Sequence, residues 1–227
     1  MVSKGEQMDE KKFCFILCGN DEQLERYCIR FIQGLHVPEG FQLEYQIVHG
    51  ATSMTQGYNQ AMRQSDAKYK IYIHQDVYVV YKEMLFDLLR LFENSEIGMV
   101  GLAGTPKMPL NGIMWDNPRI GKWYECNIIT AGEYGCDCPE QPMLAVEAVD
   151  GMFIATQYDL PWRDDLFHGW DFYDISQSFE FRRKGYQVVV PYIEDSWCLH
   201  NDGIMNLTNY FKWRDVFVQE YGEMLYE

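Results

Sequence analysis

Lys70-Ile71-Tyr72-Ile73-His74-Gln75-Asp76-Val77-Tyr78-Val79 is an apolar, β-rich run that enters His74-Gln75-Asp76 and leaves through a second apolar run. A buried strand that ends in polar side chains sets them at the rim of a sheet. In open α/β sheets, ligands bind at that rim, beyond the carboxyl ends of the strands. Asp76 is a lone carboxylate between hydrophobic runs, where a charge without a partner is costly. A cation is the simplest partner. A turn, or a cap on a helix beginning near Tyr81, is the other.

Upstream, Phe13-Cys14-Phe15-Ile16-Leu17-Cys18 is a continuous apolar run that stops at Gly19-Asn20-Asp21-Glu22. It predicts a buried parallel strand. Leu24, Tyr27, Cys28, Phe31 and Leu35 then recur at helical spacing, with Asn20 or Asp21 as the cap. Leu43 to Val48 predicts a second strand, and Ser53-Met54-Thr55-Gln56 fits a capping box. Tyr69 to Ile73 is the third strand. A helix from about Tyr81 to Phe92 and a strand from Ile97 to Ala103 follow. Strands alternating with helices imply right-handed crossovers and a mostly parallel central sheet flanked by helices, an α/β fold.

That regularity fails over residues 104–145, which are rich in proline, glycine, tryptophan and cysteine. An aperiodic stretch of this length predicts an ordered lid or insertion, whose Trp115, Trp123 and Tyr124 could stack on a ligand in the cleft or simply pack the loop down. Ala145 to Ala155 reads as a strand pair or a kinked strand, with a bulge or close backbone approach at Gly151. A helix is expected from about Trp170 to Lys184, with Gly185 just past its end. A strand from Gln187 to Val190 and an amphipathic helix over Asn206 to Tyr221 complete the chain. Residues 1–10 read as a flexible tail, and 11–227 as one domain.

Composition bounds the function. Of 227 residues, 47% are hydrophobic, enough for a sizeable core, and 34 acidic against 19 basic residues leave a charge of −15. That balance argues against a nucleic-acid surface, which needs a basic patch, and against docking on an anionic membrane. An acidic protein that handles an anionic substrate needs a bridging cation or local Arg and Lys. Seven cysteines, an odd number mostly inside apolar runs, suit reduced thiols in a cytoplasmic core better than a disulfide framework. No signal peptide is expected from the polar first residues, and no run approaches the length of a membrane span. The patterns GxxxxGK[ST], GxGxxG and GxSxG are absent, which removes the commonest nucleotide-binding loops and the hydrolase elbow.

Four places can carry chemistry. Asn20 and Asp21 can contact a base or ribose, or cap the helix. Asp76 stands at the strand end. In Gly169-Trp170-Asp171-Phe172-Tyr173-Asp174-Ile175-Ser176, a helix would set Asp171, Asp174 and Ser178 on one face. Its two carboxylates either complement the helix dipole, which would lower their pKa values, or supply a base in a cleft. His200, in Ser196-Trp197-Cys198-Leu199-His200-Asn201-Asp202-Gly203, can ligate a metal or rest against a carbonyl. Cys126, Cys136 and Cys138, with Cys198 and His200, are a weaker candidate for structural zinc, because their spacing lacks the paired CxxC.

The order of these pieces resembles a glycosyltransferase of the GT-A fold, in the family 2 group. It runs from Cys18-Gly19-Asn20-Asp21-Glu22 through Ala51-Thr52-Ser53, Tyr58-Asn59-Gln60-Ala61 and Ile73-His74-Gln75-Asp76-Val77. Val149-Asp150-Gly151-Met152, the Trp170 segment, Phe181-Arg182-Arg183-Lys184-Gly185-Tyr186 and His200 follow. It is most similar to a small branch named for a streptomycin-biosynthesis protein. The resemblance implies a nucleotide-diphospho-sugar donor, a glycan or small-molecule acceptor, and Mn²⁺ or Mg²⁺. It implies donor contacts from Asn20, Asp21, Ser53, Gln75 and Asp76, and a cation on Asp76 and His200, with only the third position of the family's acidic DxD retained. It further implies acceptor-side roles for Asp150, Gly151 and Trp170, and a catalytic base among Asp171 and Asp174, with Asp171 preferred. The implied reaction is a single, inverting displacement. A non-catalytic nucleotide- or glycan-binding module on the same fold is the alternative, favoured by the reduced DxD.

Overall fold

The computed structural model describes residues 8–126, 131–136 (backbone course only), 142–203 and 206–226. Strand β1 (Asp9–Gly19), helix α1 (Glu22–Gln33), β2 (Gln42–His49), α2 (Met54–Gln64) and β3 (Ala67–Ile73) alternate as the sequence pattern requires. After β4 (Val77–Val79) come α3 (Met84–Phe92), β5 (Ile97–Gly101) and β6 (Ala103–Thr105). Strands β7 (Ile120–Cys126), β8 (Ala131–Cys136), β9 (Met143–Ala145), β10 (Ala148–Val149) and β11 (Phe153–Thr156) lead to α4 (Tyr173–Arg183). The chain closes with β12 (Gln187–Pro191), β13 (Cys198–His200) and α5 (Tyr210–Leu225). Residues 9 and 10 therefore belong to the sheet and not to a tail, and residues 1–7 lie outside the described part.

The main sheet has the order β2-β1-β3-β11-β5-β12-β9. Its β1–β2, β1–β3 and β5–β12 ladders are parallel, but β11 runs antiparallel to both β3 and β5, and β9 antiparallel to β12. Five of its seven strands run one way, as the mostly parallel expectation has it, and β11 and β9 make the sheet mixed. The cause is local: the chain turns back at Asp150–Met152, so β11 enters the middle of the sheet against its neighbours' direction. An apolar run carries no sign of which way it points.

Period-two alternation sorts the core. Phe13, Phe15 and Leu17 of β1 join Ile71 and Ile73 of β3 on the face covered by Cys28 and Ile32 of α1 and by Leu85 and Leu88 of α3. Cys14 and Ile16 face the other way, onto Tyr58 and Ala61 of α2 and Phe181 of α4. A third cluster seats α5 on α4 through Phe172, Phe179, Phe217 and Tyr221. Burying side chains of this size stabilises the fold by about 1.5–3 kcal/mol each, so β1 and β3 are the firmest parts of the molecule and their carboxyl ends the best-held platform.

The aperiodic stretch is mostly a second sheet, ordered β10-β6-β7-β13-β4 with β8 on β7. The expected strand from Ile97 to Ala103 splits at Leu102 to feed both sheets. Its strands are short and interrupted by Gly and Pro, so no period survives in the sequence. Residues 127–130 and 137–141 of this stretch, Cys138 among them, lie outside the described part. Helix α4 starts at Tyr173, not at Trp170, because Phe172 sits at φ 62°. A bulky residue rarely adopts this left-handed conformation. Here its ring is buried against Tyr210 and Phe217, with centroids 4.9 and 5.6 Å away, and tertiary packing overrides local preference.

Candidate active site at the carboxyl end of the main sheet

β3 ends at Ile73, and His74 to Asp76 form the turn into β4. The Val77 amide donates to the His74 carbonyl at 3.2 Å. β4 pairs with β13 so that Val77 lies opposite His200, and β13 pairs with β7 so that His200 lies opposite Glu125. This register brings His200 beside the turn, and the Asn201 amide locks it by donating to the Asp76 carbonyl at 2.9 Å.

The result is a cluster. Asp76 Oδ1 lies 3.7 Å from His200 Nε2 and 4.0 Å from His74 Nδ1, and one ligand atom from each of the three residues lies within 4.8 Å of the others. Two ligands of one divalent ion with bonds of about 2.1 Å stand at most about 4.2 Å apart, so both distances from Asp76 fit a shared cation. Asp76 Oδ1 is buried and has no hydrogen-bond partner, and burial pushes its carboxyl above the usual range. An orphaned carboxylate oxygen beside two imidazoles is a donor set that fits a divalent metal. His74 was not among the expected ligands. Its pKa is held below the ordinary imidazole range by burial and then by His200, and its Nε2 is engaged by the Tyr173 hydroxyl. The signal was its position at the start of the three-residue motif, where a search for acids passes over it.

Gln75 ties the turn to the end of β1. Its Oε1 accepts from the Asn20 amide at 2.9 Å and the Asp21 amide at 3.0 Å, and its Nε2 donates to Asn20 Oδ1 at 2.6 Å. Asn20, Gln75 and Asp76 thus form one rim. Asp21 takes the helix-cap role, with Oδ1 accepting from the Gln23 and Leu24 amides. Ser53 departs from expectation. It is buried, accepts from the Gln56 amide as the cap of α2 and pairs with Thr55 Oγ1, so its hydroxyl is committed to the fold and withdrawn from a donor. Its neighbours instead hold the loop before α4: the Met54 amide donates to the Gly169 carbonyl and Thr55 Oγ1 to the Phe167 carbonyl.

The two expected carboxylates separate. Asp171 lies outside α4, is half-buried, and burial raises its pKa. Asp174 is in the first turn, where Oδ2 accepts from the Gly151 amide and Oδ1 from the Ile175 amide, both at 2.8 Å. Burial, then the charge of Asp150, pushes it up to about 7. The expected lowering by the helix dipole is overturned for both, because desolvation outweighs the dipole. Asp150 Oδ1 accepts from the Met152 amide. A Cβ on Gly151 would stand 1.9 Å from the Tyr173 hydroxyl, which is the close approach that glycine permits. Trp170, 51% exposed, stands beside Asp171.

The aromatic lid is a different structure from the one expected. Trp123 is buried in the core and donates to Glu125 Oε2. Tyr124 alternates with Glu125 along β7 and so faces away from His200. Trp115 packs on the core with the Arg119 guanidinium 4.6 Å over its ring. Among the described residues no metal-capable group contains cysteine. Cys198 is buried in the core, and burial holds its thiol well above the ordinary range. The side chain of Cys136 and all of Cys138 lie outside the described part. No helix among the described residues is long and apolar enough to cross a membrane.

A model of a glycosyltransferase-like family matches residues 14–221. No curated protein sequence matches the chain. Solved structures similar to it include the mannosyltransferase PcManGT from Pyrobaculum calidifontis in complex with GDP-Man and Mn²⁺, at 11% identity over 99% of this chain and 68% of that one, with a TM-score of 0.58. TarS from S. aureus is similar at 12% identity over 92% of this chain and 40% of that one, with a TM-score of 0.56. GalNAc-T7 with UDP, GalNAc and Mn²⁺ is similar at 8% identity over 96% and 50%, with a TM-score of 0.59. At these identities the likeness is one of fold, the GT-A fold, and the chain spans half or less of the length of the last two.

Proposed function

The chain belongs to the glycosyltransferase-like family, an enzyme family of GT-A fold, and we propose that it moves a sugar from a nucleotide-diphospho-sugar to an acceptor hydroxyl in a cation-dependent, inverting displacement. The observation that carries this is the buried, partnerless Asp76 Oδ1 within reach of His200 and His74, at the end of the best-held strand. The nucleotide lies across the rim made by Asn20, Gln75 and Asp76. Asp76 and His200 hold Mn²⁺ or Mg²⁺, which when bound supplies charge stabilisation to the leaving diphosphate. Asp171 accepts the acceptor's hydroxyl proton as the new C1–O bond forms and the bond from C1 to the phosphate oxygen breaks. Asp174, with both oxygens on backbone amides, holds the Asp150–Gly151 turn, and Trp170 presents its ring on the acceptor side. The acceptor is a glycan or small molecule.

The motif order alone supports the finer placement in the streptomycin-biosynthesis-protein-like branch. The reduced cysteines, five of them free among the described residues, support a cytoplasmic location. The single acid in residues 74–76 favours a second reading, a binding module without turnover. A thermal-shift panel of nucleoside diphosphates and nucleotide sugars, with and without Mn²⁺, tests the proposal. It expects a rise in Tm for one nucleotide that depends on the cation. Stabilisation without release of nucleoside diphosphate from any sugar donor favours the module.

A further inference from the structure

We propose that the outer edge of β2, with the cleft beside it under α1, is a docking surface for an extended acidic peptide segment of a partner protein, which adds a strand to the main sheet. The surface is separate from the residues assigned to sugar transfer, and the proposal does not rest on that reading.

The backbone supplies the first part. β2 pairs with β1 in unbroken register, from Lys12 opposite Gln42 to Gly19 opposite His49, and among the described residues β1 is its only partner strand. The outward N–H and C=O groups of this strand, eight residues long, form an open row. Proteins blunt such edges with short strands, bulges, proline or lysine. The opposite edge of the sheet follows that rule, since β9 has three residues. β2 has no proline, lysine or bulge. Glu44 is engaged by Lys12 at 2.8 Å and by Ser65 at 2.6 Å, and His49 by Glu25 at 3.0 Å, so neither guards the edge. A long, unguarded edge is what an added strand pairs with.

The cleft supplies the second part, the sign of the partner. It holds about 860 Å³ between Ile29, Arg26 and Arg30 of α1 and Tyr45 and Ile47 of β2. Its floor is apolar, and Tyr45 is 42% exposed. The one acid in its lining, Glu25, is turned to His49. Arg26 reaches only Glu22, at 4.0 Å, and Arg30 enters no ion pair among the described residues. In a chain of charge −15, two uncommitted guanidiniums over an open edge complement an acidic segment. Pairing β2 with its own copy across a two-fold axis would merge two such clefts and set four arginines together, which disfavours a second copy. Spacing agrees with the added strand. Arg26 and Arg30 are one turn apart, about 6 Å along the helix, and residues i and i+2 on one face of a strand stand about 6.6 Å apart. Two acids at alternate positions therefore match the two arginines.

The test uses the full chain and a labelled synthetic peptide, Val-Thr-Glu-Val-Glu-Thr-Val, blocked at both ends, whose two acids share one face. Binding is followed by fluorescence anisotropy. The proposal expects this peptide to bind at least about tenfold more tightly than the same peptide with Lys in place of both Glu. The double variant R26E/R30E should reverse that preference. Proline in place of the central Val should abolish binding, because it cannot extend the ladder, and hydrogen exchange should slow within Gln42–His49 when the Glu peptide is bound. Equal binding of the Glu and Lys peptides to the wild type, no binding at about 1 mM, or slowed exchange elsewhere but not in β2 overturns the proposal. A chain that sediments as a dimer, with β2 protected before any peptide is added, assigns the edge to a second copy and overturns it as well.

Discussion

The Gly151 amide donates to Asp174 Oδ2 at 2.8 Å, across the gap between the turn before β11 and the first turn of α4. This contact fixes the Asp150–Met152 turn to the helix behind it, and it separates the surroundings of the two carboxylates. Asp174 has its oxygens on amides and belongs to the frame. Asp171 has no such commitment and stands nearer the surface.

A pH signature follows from Asp174. Its folded pKa of about 7 stands above an ordinary carboxylate value of about 3.9, so the folded state keeps a proton that the unfolded chain releases. Its contribution to stability is present below the unfolded pKa, falls as pH rises from about 4 to about 7, and is constant above. D174N does not ionise and is expected to show a shallower decline of Tm across that window. The wild-type decline from this group is at most a few kcal/mol. Thermal melts of both proteins from about pH 5 to pH 8 check this, and identical slopes would remove Asp174 as the source.

Asp171 is expected to carry the base function. D171N should lose sugar transfer by roughly 10²-fold or more while binding nucleoside diphosphate as the wild type does. Because burial raises the Asp171 pKa, the transfer rate should rise with pH through a value above the usual carboxylate range. Normal transfer in D171N with a dead D174N would reverse the two roles.

Gln75 ties the turn after β3 to the end of β1. Q75A gives up its three hydrogen bonds to Asn20 and Asp21. At about 0.5–1.5 kcal/mol each, partly recovered from water, the loss should lower stability by about 1–3 kcal/mol and loosen the rim, so that diphosphate binding to the folded protein also weakens. Calorimetric titration distinguishes this from a purely structural role, in which Tm would fall and the affinity of the remaining folded protein would hold.

Arg163 clips α5 to the domain. Its Nη1 donates to Glu180 and Glu220 at 3.0 Å each, and its Nε to Asp165 at 2.9 Å. R163A removes one of two guanidiniums on Glu180 and Glu220 and leaves Arg183 Nη1 at 3.0 and 2.9 Å from them, so we expect a loss of about 1–2 kcal/mol in urea unfolding. A change below about 0.5 kcal/mol would mean the clip is ordinary surface pairing.

Much of this was legible in the chain. The apolar runs at Phe13 and Tyr69 announced β1 and β3, and the joint order of the motifs announced the GT-A fold. Asp76 stood out as a lone carboxylate between apolar runs, and His200 as a histidine between a Trp-Cys segment and a glycine. What stayed hidden depends on pairing across distance. The antiparallel entry of β11 leaves no mark on an apolar run. The left-handed Phe172 is dictated by Tyr210 and Phe217 of α5, not by its own neighbours in sequence. His74 becomes a ligand candidate only when the β4–β13 register brings His200 to the same oxygen, and Ser53 drops out only when its burial is known.

The most direct measurement is calorimetric titration of UDP and GDP into wild-type protein and D76N, each with and without Mn²⁺. The account predicts that Mn²⁺ tightens one diphosphate by at least about tenfold in the wild type and that D76N loses this gain while keeping its fold. A diphosphate that binds equally well with and without Mn²⁺, or a D76N protein that responds to Mn²⁺ as the wild type does, would contradict it.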